Sequence, residues 1–224
     1  MSKVKVNELS KHDASEITVN DDVVLASGKS VSSPSISTDT ISEKTSAAGV
    51  TIDGVLIKDS KLASGTGNVL QVVNATDTTV ASYSIAANGS QKLGSLEVSI
   101  TPSSTSSSIL LLATVNTGKS GRYNSLNFYR DSTVLGMSDQ ATGSRTNAGV
   151  YLNSGEFTDI TYQCLATSMQ FLDSPSSTSA ITYSVYVTRR HSTDTVYYNR
   201  PENDTDAAYI MRTMSNITAI EVGG

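Results

Sequence analysis

The chain has no tryptophan, one cysteine (Cys164), two histidines (His12 and His191) and four prolines. A lone cysteine excludes an intramolecular disulfide framework and every multi-cysteine zinc module. Apolar residues make up 38% and charged residues 17% of the 224, both below globular averages of roughly 45–50% and 25%. Ser, Thr, Asn and Gly fill the gap. Basic residues are outnumbered, 16 against 21, for a net charge of −5, so the basic face of a nucleic-acid binder is missing. The longest apolar run, Ile109 to Ala113, falls far short of the ~18 residues a membrane span needs. The opening Met1-Ser2-Lys3-Val4-Lys5 has neither the apolar core of a signal peptide nor the glycine needed for myristoylation. These shortages predict a polar, all-β protein that is not an enzyme, binds no cofactor or nucleic acid and does not insert into membranes.

What aromatic and arginine content there is sits late. The first aromatic residue is Tyr83 and the first arginine Arg122, while the early basic residues are all lysine. Aromatic side chains carry about 150–250 Å² of burial each, so a stretch without them has little from which to build its own core. The first ~65 residues read as an extension and the rest as a globular domain. The extension still holds short β words, Ile17-Thr18-Val19, Val23-Val24-Leu25, Val50-Thr51-Ile52 and Val55-Leu56-Ile57. The last two flank Asp53-Gly54, a dipeptide suited to the positive φ angles of a type I′ hairpin turn. A lone hairpin is marginal in water; identical chains wrapped around one another would supply the missing walls.

From about residue 67 the pattern is strand after strand. Leu96, Val98 and Ile100 alternate with Glu97 and Ser99, and Ile181, Tyr183, Val185 and Val187 with Thr182, Ser184 and Tyr186. Ile109 to Val115 is a continuous apolar run, as expected of a strand buried on both faces. Tyr162, Cys164 and Ala166 alternate, which reads Cys164 as a small buried hydrophobe. Ile217 to Val222 closes the chain. The only helical hint lies around Asp206 to Met214. Some eight strands with Ser/Thr/Gly/Pro loops between them predict a two-sheet antiparallel sandwich.

The motifs that suggest chemistry are weak. Ala113-Thr-Val-Asn-Thr-Gly118-Lys119-Ser120 fits a loose phosphate-loop pattern, but lacks the first glycine and the helix that must follow. It reads as a polar loop between strands. A serine hydrolase needs a histidine base, and neither His12 nor His191 lies near a nucleophile elbow. Asn203-Asp204-Thr205-Asp206 and Asn20-Asp21-Asp22 lack the Gly and distal Glu of a calcium loop, so no metal site is assigned. Arg122, Tyr123, Arg145, Arg189 and Tyr197 sit in or beside the expected loops. They are the candidate surface-contact residues, because Tyr and Arg make adaptable contact surfaces with rigid anchors.

One ordered series is more specific. Gly67-Asn-Val-Leu-Gln-Val-Val73, Leu96-Glu-Val-Ser-Ile-Thr-Pro-Ser-Ser-Thr-Ser-Ser107, Phe128-Tyr-Arg-Asp131, Phe171-Leu-Asp-Ser-Pro-Ser-Ser-Thr-Ser-Ala180, Tyr198-Asn-Arg-Pro-Glu-Asn-Asp204 and Ser215-Asn-Ile-Thr-Ala-Ile-Glu221 follow in order. Together they resemble the C-terminal head of fibre-like structural proteins of tailed bacteriophages, particularly marine podoviruses. Ile41-Ser-Glu-Lys-Thr-Ser-Ala-Ala-Gly-Val-Thr-Ile-Asp-Gly-Val-Leu-Ile-Lys58 is similar to the stalk that precedes such heads. The resemblance spans about residues 40–224 and departs in 140–160 and 188–197, where loops of such heads vary. It implies a jelly-roll head of the tumour-necrosis-factor class, trimeric on a β-rich stalk, in a virion structural protein made in the host cytoplasm. Residues 1–25 would dock on other virion proteins, 26–66 would intertwine as the stalk and 67–224 would form the head. The head would attach to a host-surface glycan or protein; the alternative is a capsid decoration fibre without a receptor.

Overall fold

The structure is a computed structural model that describes residues 50–52, 55–58, 61–62, 68–119, 121, 123–139, 143–152 and 160–224. The docking segment 1–25 with His12 and its acidic cluster, the stalk before Val50 and Arg122 lie outside the described residues. A small sheet comes first: β1 (Val50–Ile52), β2 (Val55–Lys58) and β3 (Lys61–Leu62). Ile52 faces Val55 and Val50 faces Ile57, the register of the hairpin expected around Asp53-Gly54.

The remaining strands are β4 (Val69–Asp77), β5 (Ala81–Ile85), β6 (Ser90–Ile100), β7 (Ser108–Thr117) and β8 (Asn124–Arg130). They continue with β9 (Thr133–Leu135), β10 (Val150–Leu152), β11 (Leu165–Asp173), β12 (Ile181–Arg189), β13 (Asp194–Tyr198) and β14 (Ser215–Val222). A front sheet runs β11-β7-β14-β4, and β13 then β5 continue it from the end of β7. A back sheet runs β6-β12-β8, with β9 and β10 end to end along the far edge of β8. The first long strand lies against the last, and β6, β7, β8, β11 and β12 alternate between sheets. This is the interleaving of a jelly roll, and the chain is an all-β antiparallel sandwich as its alternation predicts. No helix among the described residues is long and apolar enough to cross a membrane.

Leu93, Leu96, Ile109, Leu111, Val115, Leu126, Val185 and Ile217 are fully enclosed between the sheets. Each such burial stabilises by about 1.5–3 kcal/mol. Leu93 and Leu96 both reach the core although they are three apart, because β6 bulges there. Against β12, Glu97 pairs with Ser184 and then Lys92 with Tyr186. The bulge turns on Gly94, whose φ is +51°, a region that favours glycine. It also frees two amides from the ladder. Gly94 N donates to the Tyr83 hydroxyl at 2.9 Å and Ser95 N to Asp77 Oδ2 at 2.8 Å.

Asp77 is one of three carboxylates buried among the described residues. It and Asp173 tie the front sheet to the back, and Glu221 ties β14 to β4 and to the β6–β7 loop. Asp173 on β11 receives Arg130 Nη1 from β8 at 3.0 Å and the Tyr183 hydroxyl from β12 at 2.6 Å. Glu221 on β14 receives the Ser103 amide at 2.7 Å and the Ser103 hydroxyl and Gln71 Nε2 at 2.6 Å each. Burial alone would raise the pKa of Glu221, but hydrogen bonds from Ser103 and Gln71 outweigh it and bring the value down to about 2. Asp77 is likewise held below the ordinary carboxylate range, its burial outweighed by Thr79, Ser95 and Tyr198. Tyr183 and Tyr198 are pushed up, first by burial and then by the acceptors beside them.

Three expectations need correction. Cys164 is half-buried and outside the core: Ile160–Tyr162 is a 3-10 turn and β11 begins only at Leu165, so the alternation starts too late to carry it inward. Residues 206–214 form turns and no helix, pinned by Thr213 N to Asn199 O at 3.0 Å. Finally, β7 is buried on one face only, with Leu112 36% exposed.

Candidate functional site

The exposed side of β7 belongs to a surface four strands wide. The registers place Val72, Ile220, Leu110 and Leu172 in one row across β4, β14, β7 and β11. The next row is Asn74, Thr218, Leu112 and Gln170, and the next Thr76, Asn216, Thr114 and Ser168. Asn74 Nδ2 donates to Thr218 Oγ1 at 2.8 Å, so part of this polarity is already satisfied within the face. None of these outward residues is charged. Leu70, Val72 and Leu172 are exposed beside Leu112, at 40%, 58% and 56%. An apolar row on an uncharged face is the composition of an interface core, where charge is depleted.

A second feature lies at one end of the back sheet, where β8 begins and β12 ends. A hollow of about 310 Å³ is lined by Tyr123, Tyr151, His191, Arg190 and the amide and hydroxyl side chains of residues 144–147. Tyr123 has φ +71°, an unfavourable conformation for a bulky residue and of the kind that collects at functional sites. Its amide donates to the Tyr151 hydroxyl at 3.3 Å, and its carbonyl accepts from Arg190 N at 3.0 Å. Its ring lies 5.2 Å from that of His191, centroid to centroid. Asn147 carries a buried amide oxygen without a hydrogen-bond partner among the described residues.

Of the five expected contact residues, the structure brings Tyr123 into this hollow and sets exposed Arg145 between the lining residues Ser144 and Thr146. Arg189 is corrected: it is 3% exposed and supports the hollow from below. Its guanidinium reaches Asn124 Oδ1 at 3.0 Å, Asp194 Oδ2 at 3.3 Å and the Ser192 carbonyl. Asn124 in turn donates to Gly121 O at 2.6 Å. Tyr197 lies on β13 of the front sheet, half-buried, with the Arg200 guanidinium 5.4 Å above its ring. Tyr151 and Asn147 carried no sequence signal; they fall in the 140–160 stretch that departs from the resemblance.

The loose phosphate-loop pattern is spent on structure. Its first residues are the end of β7, the strand β8 follows where a helix is required, and Lys119 meets Glu202 at 3.5 Å. Asp204 of the acidic cluster is taken by Arg212 at 2.7 Å and Arg200 at 3.6 Å. No group of His, Cys, Asp and Glu among the described residues could hold a metal ion.

No protein-family model matches the chain, and no curated protein matches it. Among solved structures it is similar to one described as "Structure of infectious bursal disease virus Gx strain". Identity is 11% and the TM-score 0.32, over 79% of this chain and 42% of that one. The chain thus spans less than half the length of that viral chain.

Proposed function

We propose that this chain is a bacteriophage virion structural protein, a homotrimeric fibre or appendage whose head contributes to host-surface attachment. The uncharged front face carries the reading. Ile109 to Val115 has the composition of a strand buried on both faces, yet a single chain covers only one. A second and third copy of the chain supply the missing cover. The apolar row lies at the end of the face where β4 enters the head, so a stalk of three intertwined chains would bring the three faces together there. The ordered motif series supports the virion setting. Three weak head sites then act through effective concentration rather than individual affinity.

Sedimentation velocity at micromolar concentration checks the assembly. The wild-type chain is expected to run as a trimer. Leu112→Glu combined with Leu172→Glu is expected to run as a monomer with an unchanged far-ultraviolet spectrum, since neither side chain is part of the core. A wild-type monomer would overturn the reading. In the particle, deleting the protein is expected to abolish adsorption; normal adsorption with fragile capsids would replace attachment with a decoration role.

A further inference from the structure

We propose that the hollow between Tyr123 and Tyr151 is a saccharide subsite that binds a sugar ring without cleaving it. A saccharide held here serves the attachment role proposed above, on which this assignment rests for its biological meaning.

The chemistry of the lining selects the ligand class. A sugar ring presents C–H groups on its faces and hydroxyls around its rim. Tyr123 and Tyr151, 47% and 56% exposed, offer amphipathic rings with an apolar face for the first and a polar edge for the second. Residues 144–147 bring serine, threonine and asparagine side chains within the same hollow, which match hydroxyls as donors and acceptors. At about 310 Å³ the space is at the small end of ligand sites and suits one or two rings.

The site is also built in advance. Tyr123 is fixed from both sides of its own peptide, by the Tyr151 hydroxyl and by Arg190 N. Beneath it, buried Arg189 and Asn124 lock the turn through Gly121 and Asp194. On the other wall Gly149 N donates to Asn127 Oδ1 at 2.8 Å, and Asn127 Nδ2 to Thr188 Oγ1 at 3.1 Å. Ordering of a mobile site would otherwise subtract from a weak affinity. Among the described residues no aspartate or glutamate lines the hollow, whereas glycoside hydrolysis needs a pair of carboxylates across the bond. Binding without turnover is the consequence, and Arg190 at the rim means that an acidic sugar is not repelled.

Saturation-transfer difference NMR on the full chain tests this with methyl glycosides of glucose, galactose, mannose and N-acetylglucosamine, and with glucuronic acid, each at millimolar concentration. At least one is expected to receive saturation strongest at its ring C–H protons. Tyr151→Ala and Tyr123→Ala are expected to abolish the signal, and Tyr197→Ala, on the other sheet, to leave it unchanged. Trimer sedimentation is expected to be the same for all three variants. No transfer to any of the five sugars, or transfer that survives both tyrosine substitutions, would overturn the subsite. Neither result would touch the oligomer, whose own failure shows in sedimentation alone. Shortening of a bound oligosaccharide would overturn the absence of cleavage.

Discussion

Glu221→Ala is expected to cost the head about 3–5 kcal/mol, a large part of the roughly 5–15 kcal/mol that holds a typical domain together. The residue is wholly enclosed. Its removal would leave the Ser103 amide, the Ser103 hydroxyl and the Gln71 side-chain amide without their acceptor, and a hydrogen bond to a charged group is worth about 1.5–3 kcal/mol. The acid response gives a second reading of the same group. With its pKa lowered from 4.5 to about 2, the folded state holds the charged form more tightly than the unfolded state does. Its contribution is complete above the unfolded value and disappears as pH falls from about 4.5 towards 2. At neutral pH it amounts to roughly 3 kcal/mol. Urea titrations at pH 7 and pH 3 are expected to show a much smaller loss on acidification for Glu221→Gln than for the native chain, with the remainder shared by Asp77 and Asp204, both also held low. An equal pH dependence in both would remove Glu221 from this role.

Gly94→Ala is the second large effect, and its control is in the same molecule. A Cβ at Gly94 would stand 2.0 Å from Asp77 Oδ2 and 2.9 Å from the Tyr198 ring. The carboxylate would have to leave the Ser95 amide and the Tyr198 hydroxyl, so the left-handed backbone cost of about 1–2 kcal/mol is joined by the loss of a buried network. A total of at least about 3 kcal/mol is expected. Gly143 has φ +67° and nothing among the described residues within 4 Å of its Cβ position. Gly143→Ala is therefore expected to cost only the backbone term. Thermal midpoints of the two variants compare them directly. Equal shifts would mean that Asp77 moves aside freely and that the bulge does not depend on it.

The sandwich was legible where alternation is simple, and unreadable where polar residues take inward places. Ile181 to Val187 shows its buried parity at sight. In Ile217 to Val222 the inward set is Ile217, Ala219 and Glu221, with Ile220 turned out; hydrophobicity alone assigns the last pair the wrong way round. Glu221 is tolerable inside only because Ser103 and Gln71, far away in the sequence, converge on it. Arg189 is the same case, a guanidinium at the end of a strand whose partners arrive from β8 and β13. The apolar run in β7 reads as burial on both faces, but the structure encloses only one of them, with Leu112 on the open side. Of the hollow, Tyr123 could be picked out as an aromatic in a loop. Tyr151 joins it only through the pairing of β10 with β8, a contact that no local pattern announces.

The pairing of the first long strand with the last sets how the head bears load. In the stalked assembly proposed above, tension would enter at residue 68 and run along β4. That strand is antiparallel to β14 from Val69 opposite Val222 to Asp77 opposite Ser215. A pull along this axis slides one strand past the other, so all the rungs resist together, whereas a pull across it opens them one at a time. If the proposed stalk carries the load along β4, a pull meets the joint in its strong direction and a sideways wrench meets it in its weak one.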